Sequence, residues 1–184
     1  MKFRESNKFL FSLRYAQFLK QLGKKVEPIE IKIKPLQSMQ VGILFEATDI
    51  VQKDIVINDL AQLFEKKGAK VVLLGFFNHE ADTSGIHFKH FNLKDINRYF
   101  IPQNTDINKF LETKFDMIIN ADISQSLPIH YLACKSQSIT KVGPHSEFDD
   151  FYHLILDTKD TFTIKQYISE LIDILNKVSF NGRL

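Results

Sequence analysis

Cysteine, tryptophan and glycine are scarce in this chain. Its 184 residues include one Cys, no Trp and seven Gly. The single Cys134 excludes an intramolecular disulfide and a cysteine zinc cluster, which favours a reducing, cytoplasmic compartment. The glycines form neither a GxGxxG nor a GxxxxGK[ST] loop, so the backbone cannot close around a pyrophosphate in the usual manner. We therefore expect no dinucleotide or P-loop site and predict no cofactor.

Long apolar runs and nucleophile motifs are also missing. Near the N-terminus the longest apolar stretch, 9–13, is too short for a signal peptide, and no later run approaches the roughly 18 residues of a membrane span. There is no GxSxG elbow. His130 and Cys134 lie four residues apart on a predicted helix, but Cys134 is too far from the helix N-terminus for the dipole to lower its thiol pKa. We interpret the pair as core packing and favour a protein without catalytic activity.

Positive charge is concentrated at the N-terminus. Residues 1–25 hold seven Lys and Arg against one acid, a charge of +6, whereas residues 26–184 hold 17 basic and 21 acidic side chains, a charge of −4. Apolar residues from Phe9 to Leu22 recur at three- and four-residue steps, which predicts an amphipathic helix that ends at Gly23. The candidate binding residues on this basic helix are Lys8, Arg14 and Lys20.

Strand and helix patterns alternate along the rest of the chain. Apolar runs predict strands at 41–45, 70–77, 86–91, 115–121, 139–143 and 152–156, with helices between them. Thr163 and Gln166 form a capping-box signature before a last helix that reaches Val178. Strands that are apolar throughout belong to a parallel sheet with helices on both faces. The prediction is an α/β fold, a three-layer, doubly wound (Rossmann- or flavodoxin-like), mostly parallel sheet with an appended N-terminal helix.

Segment 26–40 is the predicted boundary between that helix and the sheet. It contains Pro28 and Pro35 on either side of alternating isoleucines, which indicates a linker or an edge strand. We therefore expect residues 1–25 to form the basic helix and residues 41–179 to form a single α/β domain.

The candidate ligand site lies at the carboxyl ends of the strands, because doubly wound folds bind ligands where their strand order reverses. The polar residues there include Asp49, Asp122, Ser124 and His145. Asp49 and Asp122 are the best-placed carboxylates if their strands are neighbours. Each has a structural alternative, since Asp49 can cap a helix and Asp122 can form a turn. His145 belongs to an acidic loop, 145–150, that could hold a divalent cation, although we favour a solvated loop and no metal.

Short packing motifs recur in order along the chain: Gly42-Ile43-Leu44-Phe45, Leu74-Gly75-Phe76, Phe91-Asn92, Phe115-Asp116 with Ile119-Asn120, Leu127-Pro128 with Tyr131-Leu132-Ala133, and Lys141-Val142-Gly143. This set, which spans most of residues 5–178, resembles a family of short bacterial α/β proteins of unknown function that carry a basic N-terminal helix. The resemblance implies no established activity and no catalytic residues. A looser likeness is to one half of a two-domain nucleotide-sugar glycosyltransferase, but this sequence has no second Rossmann-like half with which to form a cleft.

Two functions follow as hypotheses from different classes. The favoured one is a binding or accessory domain that contacts an acidic partner through its basic helix. That partner could be nucleic acid, the ribosome, an anionic membrane surface or an acidic protein, and homo-oligomerisation is left open. The alternative is a small-molecule or nucleotide-sugar-binding enzyme that uses Asp49, Asp122, Ser124 and His145, and it predicts a polar pocket at the carboxyl edge.

Overall fold

The sheet has six parallel strands in the order β3-β2-β1-β4-β5-β6. This computed structural model describes residues 5–27, 35–83, 85–157 and 163–181. The strands are β1 (Gln40–Glu46), β2 (Lys70–Phe77), β3 (His90–Asn92), β4 (Lys114–Asn120), β5 (Gln137–Pro144) and β6 (Leu154–Leu156). All the described strand pairs are parallel, as expected for strands that are apolar on both faces.

Helices cover both faces of the sheet. They are α1 (Glu5–Gln21), α2 (Ile50–Ile55), α3 (Gln62–Lys66), α4 (Thr105–Glu112), α5 (Leu127–Lys135) and α6 (Ile164–Asn181), and a π-helical segment, Val56–Ala61, joins α2 to α3. Helices α2, α3 and α6 pack on one face, and α1, α4 and α5 pack on the other. The three-layer α/β architecture predicted from the sequence is thereby confirmed.

Alternation along β1 shows how one strand serves both layers. Ile43 and Phe45 join the core under α2 and α6, whereas Leu44 joins the core under α1 and α5. Successive side chains of a strand point to opposite faces, so a strand between two helical layers must be apolar at every position. That requirement explains the continuous apolar run from Val41 to Phe45.

Two of the predicted strands are shorter in the structure. The third was expected at 86–91, but the chain joins the sheet only at His90, and the ring of Phe88 before it packs on Phe45 and Phe77. The sixth was expected at 152–156 and begins at Leu154. The Tyr152 ring lies so close to Gly143 that a Cβ there would be 2.5 Å from it. Tyr152 is thus a core side chain that precedes the strand.

The predicted N-terminal helix is present as α1, and it is docked on the domain. Phe18 and Leu22 are fully buried. The Phe18 ring contacts three aromatic rings from different segments, those of Phe100, Tyr131 and Phe148. Burying a large aromatic side chain stabilises the fold by roughly 2 kcal/mol or more, so α1 is part of the core. The edge strand predicted within 26–40 falls mostly on residues 28–34, which lie outside the described residues.

Candidate functional site

Strand order reverses between β1 and β4, which are hydrogen-bonded neighbours. The order 3-2-1-4-5-6 is that of the doubly wound dinucleotide-binding fold, whose ligands sit outside the carboxyl ends of the strands at this reversal. In this chain β1 ends at Glu46 and β4 ends at Asn120. The strands that precede Asp49 and Asp122 are thus neighbours, which meets the condition under which these two carboxylates were candidates.

Ser124 joins the loops that follow β1 and β4. Its Oγ lies 2.8 Å from Glu46 Oε2 and 2.5 Å from Asp122 Oδ1. A hydroxyl has one proton and can donate to only one of these oxygens. Two carboxylates therefore converge on a single donor at the point where the strand order reverses.

Asp122 is fully buried, and its carboxylate is used by its own loop. Oδ1 accepts from the Ser124 backbone N–H at 2.9 Å, and Oδ2 accepts from the Ser126 N–H at 2.8 Å. Ser126 is the N-cap residue of α5. A helix N-terminus attracts anions, and here the protein's own carboxylate takes that place. Asp122 is the turn former that the sequence allowed as its structural alternative.

Behind this loop lies a buried network of polar side chains. The Asn120 side-chain amide donates to the Tyr152 hydroxyl at 2.8 Å, and that hydroxyl lies 2.9 Å from His130 Nδ1. The Tyr167 hydroxyl donates to the Asn120 backbone carbonyl at 2.8 Å. All four residues are buried. The network links β4 and α5 to α6 and to the segment before β6.

The hydrogen-bond directions assign the His130 tautomer. Asn120 Oδ1 accepts from the Asp122 N–H, which fixes the amide orientation and turns its NH₂ towards Tyr152. Because the Tyr152 hydroxyl accepts that proton, its own proton goes to His130 Nδ1, and the imidazole carries its hydrogen on Nε2. His130 Nε2 has no hydrogen-bond partner among the described residues. Burial lowers the pKa of His130 to about 4, although Asp122, Glu147 and Asp149 act to raise it.

The other two carboxyl-edge candidates lie apart from this cluster. The Asp49 carboxylate accepts from the backbone N–H groups of Val51 and Gln52 at 2.8 and 3.0 Å, so it caps α2. His145 is exposed, and its Nδ1 lies 2.6 Å from Asp149 Oδ2. Within the described ranges, no group of three or more His, Cys, Asp or Glu side chains is arranged to hold a metal ion.

Cys134 and His130 do not form a dyad, since His130 Nδ1 faces Tyr152. Burial raises the pKa of the Cys134 thiol to about 12, so the sulfur stays protonated. Lys141 donates from Nζ to the Cys134 carbonyl at 2.5 Å and thereby caps the end of α5. Burial lowers the pKa of Lys141.

The cations predicted to bind on α1 are exposed and point in different directions. Lys8, Arg14 and Lys20 lie six residues apart, and each residue turns an α-helix by about 100°. Successive members are therefore separated by about 120° around the axis. The helix presents one cation to each of three sides and no continuous basic stripe.

Exposed apolar side chains share the surface of α1 with these cations. Leu10, Phe11 and Leu13 are each about half exposed, at 49%, 52% and 51%. The Phe11 ring nevertheless contacts the Phe100 ring at 5.6 Å. No helix in the described part of the chain is both long enough and apolar enough to cross a membrane.

An open groove of about 350 Å³ runs between α1 and a neighbouring turn, lined by Leu10, Leu13, Arg14, Gln17, Arg98 and Tyr99. The Asn97 side chain accepts from the Tyr99 N–H and shapes this turn, in which Phe100 has a φ of 63°. The Arg98 guanidinium lies 4.8 Å from the centroid of the Tyr99 ring. We call this surface the basic groove.

Sequence reasoning did not select Glu46, which contacts Ser124, or Asn120 and Tyr152, which belong to the buried network. Asn120 ends an apolar strand, and a polar residue at that position was a usable signal, although its side chain is fully buried and does not face the crevice. Tyr152 carried no such signal. Its hydroxyl contacts Asn120 only because folding brings together two residues that are remote in sequence. A buried Tyr in a sequence is often explained by its apolar ring alone.

Comparison with known families supports the resemblance noted in the sequence. A family of unknown function, DUF6913, matches residues 14–178. The chain belongs to this family. The DUF6913 match includes the docked part of α1, the whole sheet, the polar network and every residue of the basic groove except Leu10 and Leu13. No protein of curated function matches the chain.

Proposed function

We propose that this DUF6913 protein is a non-catalytic binding domain whose basic groove takes an acidic segment of a partner protein. The segment would bring apolar side chains to Leu10 and Leu13 and carboxylates to Arg14 and Arg98. An amphipathic helix laid in a groove is one of the recurring modes of peptide recognition. Arginine forks bind carboxylates with two parallel hydrogen bonds.

The observation that carries the proposal is the composition of the groove. Its lining combines aliphatic side chains with two guanidinium groups and a tyrosine ring. Arg and Tyr are enriched among the residues that dominate binding energy at protein interfaces. An exposed apolar surface rimmed by polar residues is typical of an interaction site.

The geometry favours a protein segment over the other acidic partners. A duplex or a ribosomal RNA helix needs cations aligned along one side, whereas Lys8, Arg14 and Lys20 face three sides. A bilayer surface would need the apolar side chains to be free for insertion. Phe18 is fully buried, and Phe11 packs on Phe100.

The test uses two synthetic amphipathic helical peptides that share a leucine face and differ only in carrying Glu or Lys on the flanks. We expect the Glu peptide to bind the full chain in fluorescence anisotropy and the Lys peptide not to bind. Arg14→Glu should weaken binding by about tenfold or more, since it reverses a charge in the groove. Lys114→Glu, at an exposed residue at the start of β4, is the matched control and should leave binding unchanged.

Other outcomes would contradict the proposal. Equal affinity for the two peptides would show that the surface is merely apolar. Tight binding to duplex DNA or to anionic vesicles, without binding of the Glu peptide, would assign α1 to those partners. Deleting residues 1–25 is an unsuitable test, because it removes Phe18 and Leu22 from the core.

A second candidate function, small-molecule binding at the carboxyl edge, rests on Glu46 and the exposed Ser124 hydroxyl, whose Oε2 and Oγ atoms lie 2.8 Å apart. A carboxylate beside a hydroxyl suits a ligand with neighbouring hydroxyl groups, such as a sugar. The charge of Glu46 disfavours a phosphate, so a nucleotide-sugar would bind through its sugar. Saturation-transfer NMR with neutral sugars and with a uridine diphosphate sugar tests this function. A signal that Glu46→Gln abolishes would support it, and no signal with any ligand would exclude it.

A further inference from the structure

We infer that the basic groove recognises a phosphate monoester, so that the segment it takes from a partner protein carries a phosphoserine or a phosphothreonine. The phosphate would pair with the guanidinium groups of Arg14 and Arg98, and apolar side chains next to it in the segment would contact Leu10 and Leu13. This inference rests on the proposed function, because it names the acidic group that the same groove binds.

Every polar side chain that lines the groove can donate hydrogen bonds. Arg14 and Arg98 have N–H donors and no acceptor, and Gln17 and Tyr99 add an amide NH₂ and a hydroxyl. None of the described residues that line the groove is acidic. Neither arginine takes part in an ion pair between described residues. The groove therefore offers two positive charges to a ligand.

A phosphate monoester matches this lining better than a single carboxylate does. It carries a charge of about −2 near neutral pH and three strong acceptor oxygens, whereas an ionised carboxylate has one negative charge and two oxygens. Guanidinium groups bind phosphate oxygens with two parallel hydrogen bonds each. The phosphodiesters of nucleic acids carry only one negative charge per phosphate. Two arginines on one groove thus favour a monoester.

The turn that carries Arg98 is held in place before any ligand arrives. Asn97 Oδ1 accepts from the Tyr99 N–H at 2.8 Å, and the Asn97 carbonyl accepts from the Phe100 N–H at 3.0 Å. The Phe100 ring contacts the Phe11 ring of α1 at 5.6 Å, which fixes the turn beside the helix. The Arg98 guanidinium lies over the Tyr99 ring, an arrangement that orients the group and leaves its N–H donors available.

Three helical peptides with the leucine face of the Glu peptide test the inference. Their flanks are neutral except at one position, which holds phosphoserine, Glu or Ser. Fluorescence anisotropy with the full chain measures their affinities. We expect the phosphoserine peptide to bind about tenfold or more tightly than the single-Glu peptide, because it forms more charge-assisted hydrogen bonds. The Ser peptide should bind most weakly.

Arg14→Gln and Arg98→Gln each remove one guanidinium from the groove. Both residues are exposed, so the variants should fold, which circular dichroism can check. Each should weaken binding of the phosphoserine peptide by about tenfold and binding of the single-Glu peptide by less. Lys114→Gln, which removes a positive charge outside the groove, is the matched control and should keep the preference for phosphoserine. Tyr99→Leu should reduce that preference more than Tyr99→Phe, which keeps the ring under Arg98.

Several results would overturn the inference. Equal affinity for the phosphoserine and single-Glu peptides is one, and binding of the Glu peptide would then leave the proposed function standing. A phosphoserine preference that survives both arginine substitutions would place the phosphate elsewhere on the chain. Binding of duplex DNA or of phosphatidylglycerol vesicles as tightly as the phosphoserine peptide would assign the groove to a phosphodiester instead. If neither the phosphoserine peptide nor the Glu peptide binds, the inference and the proposed function both fail.

Discussion

At the scale of single residues, the polar network shows how the hydroxyl proton of Tyr152 determines which nitrogen of the buried His130 carries hydrogen. Asn120 is held by the Asp122 backbone, and its amide fixes the proton of Tyr152. Tyr152 in turn makes His130 Nδ1 an acceptor. A neutral imidazole is therefore built into the core, and protonating Nδ1 would require the Tyr152 hydroxyl to turn away from it.

Acid should destabilise the fold through His130. Because its pKa in the folded protein is about 4 and the ordinary value is 6.5, the unfolded chain binds the proton more tightly. The stabilisation is complete above pH 6.5 and is lost as the pH falls through 4. We expect a loss of roughly 2–3 kcal/mol in the free energy of unfolding between roughly pH 7.5 and 4.5.

Urea unfolding across this pH range measures that loss. The comparison is with His130→Gln, which cannot titrate, and the difference between the two curves removes the contribution of the carboxylates. The variant should be less stable at neutral pH and should show a flatter profile. Parallel curves for the two proteins would mean that His130 does not account for the pH dependence.

Tyr152→Phe should destabilise the protein even though it keeps the ring. The Asn120 amide and His130 Nδ1 would both lose their shared partner in a buried site, which costs about 1–3 kcal/mol per unsatisfied group. Tyr99→Phe is the matched control, since Tyr99 lies on a partly exposed turn, and it should change stability by less than about 0.5 kcal/mol. Denaturant unfolding measures both, and equal effects would contradict a buried network.

Single residues were also where sequence reasoning was weakest. Asp122 and Ser124 were placed correctly at the crevice, because the end of an apolar strand is visible in the sequence. Glu46 was missed and Asp49 chosen instead, although the two are only three residues apart. Whether a carboxylate caps a helix or faces the next strand depends on side-chain direction, which residue spacing does not determine.

At the scale of elements, α1 combines a buried side with an exposed one. Phe18 and Leu22 face the core, and Leu10 and Leu13 face solvent. The apolar spacing of residues 9–22 predicted the helix, but it could not separate the residues that pack on the domain from those that stay exposed. That distinction came from the rings of Phe100, Tyr131 and Phe148, which are remote in sequence.

Substitutions on the two sides of α1 should have opposite consequences. Phe18→Ala should lower the free energy of unfolding by about 3–5 kcal/mol, because it leaves a cavity among the rings of Phe100, Tyr131 and Phe148. Leu13→Ala should change it by about 0.5 kcal/mol or less and should instead weaken binding of the Glu peptide. Urea unfolding and anisotropy distinguish the two effects. If Phe18→Ala were neutral, the docking of α1 would be wrong.

Asp49→Ala should act on α2 alone. Loss of a side-chain N-cap costs about 1 kcal/mol, while Asp49→Asn keeps an acceptor oxygen and should be nearly neutral. Thermal unfolding measures both variants. If Asp49→Ala abolished the sugar signal while lowering the free energy of unfolding by only about 1 kcal/mol, Asp49 would belong to the candidate site as well as capping α2.

At the scale of the whole molecule, the order of the strands determines where the two functional surfaces lie. The sequence predicted parallel strands and polar loops at their carboxyl ends. The reversal between β1 and β4 was not visible in the sequence, because strand order depends on which helix crosses which face. Helices α1 and α2 pack on opposite faces of the sheet, so the basic groove lies on the face away from α2.

The charge separation along the chain gives a last measurable consequence. The N-terminal 25 residues carry +6 and the rest carries −4, so some attraction to polyanions is expected at low salt. Each phosphate neutralised on duplex DNA contributes roughly −0.9 to the slope of log affinity against log salt, and each on a single strand about −0.7.

Because Lys8, Arg14 and Lys20 face three sides of α1, few of them can reach one duplex together. We therefore expect a slope no steeper than about −2 on duplex DNA, and nearly equal, small losses for Lys8→Glu and Lys20→Glu. Arg14→Glu should weaken binding of the Glu peptide far more than it weakens binding of DNA. A slope of about −4 or steeper, with all three reversals equally damaging, would show that the cations act as one nucleic-acid surface and that the groove is not the binding site.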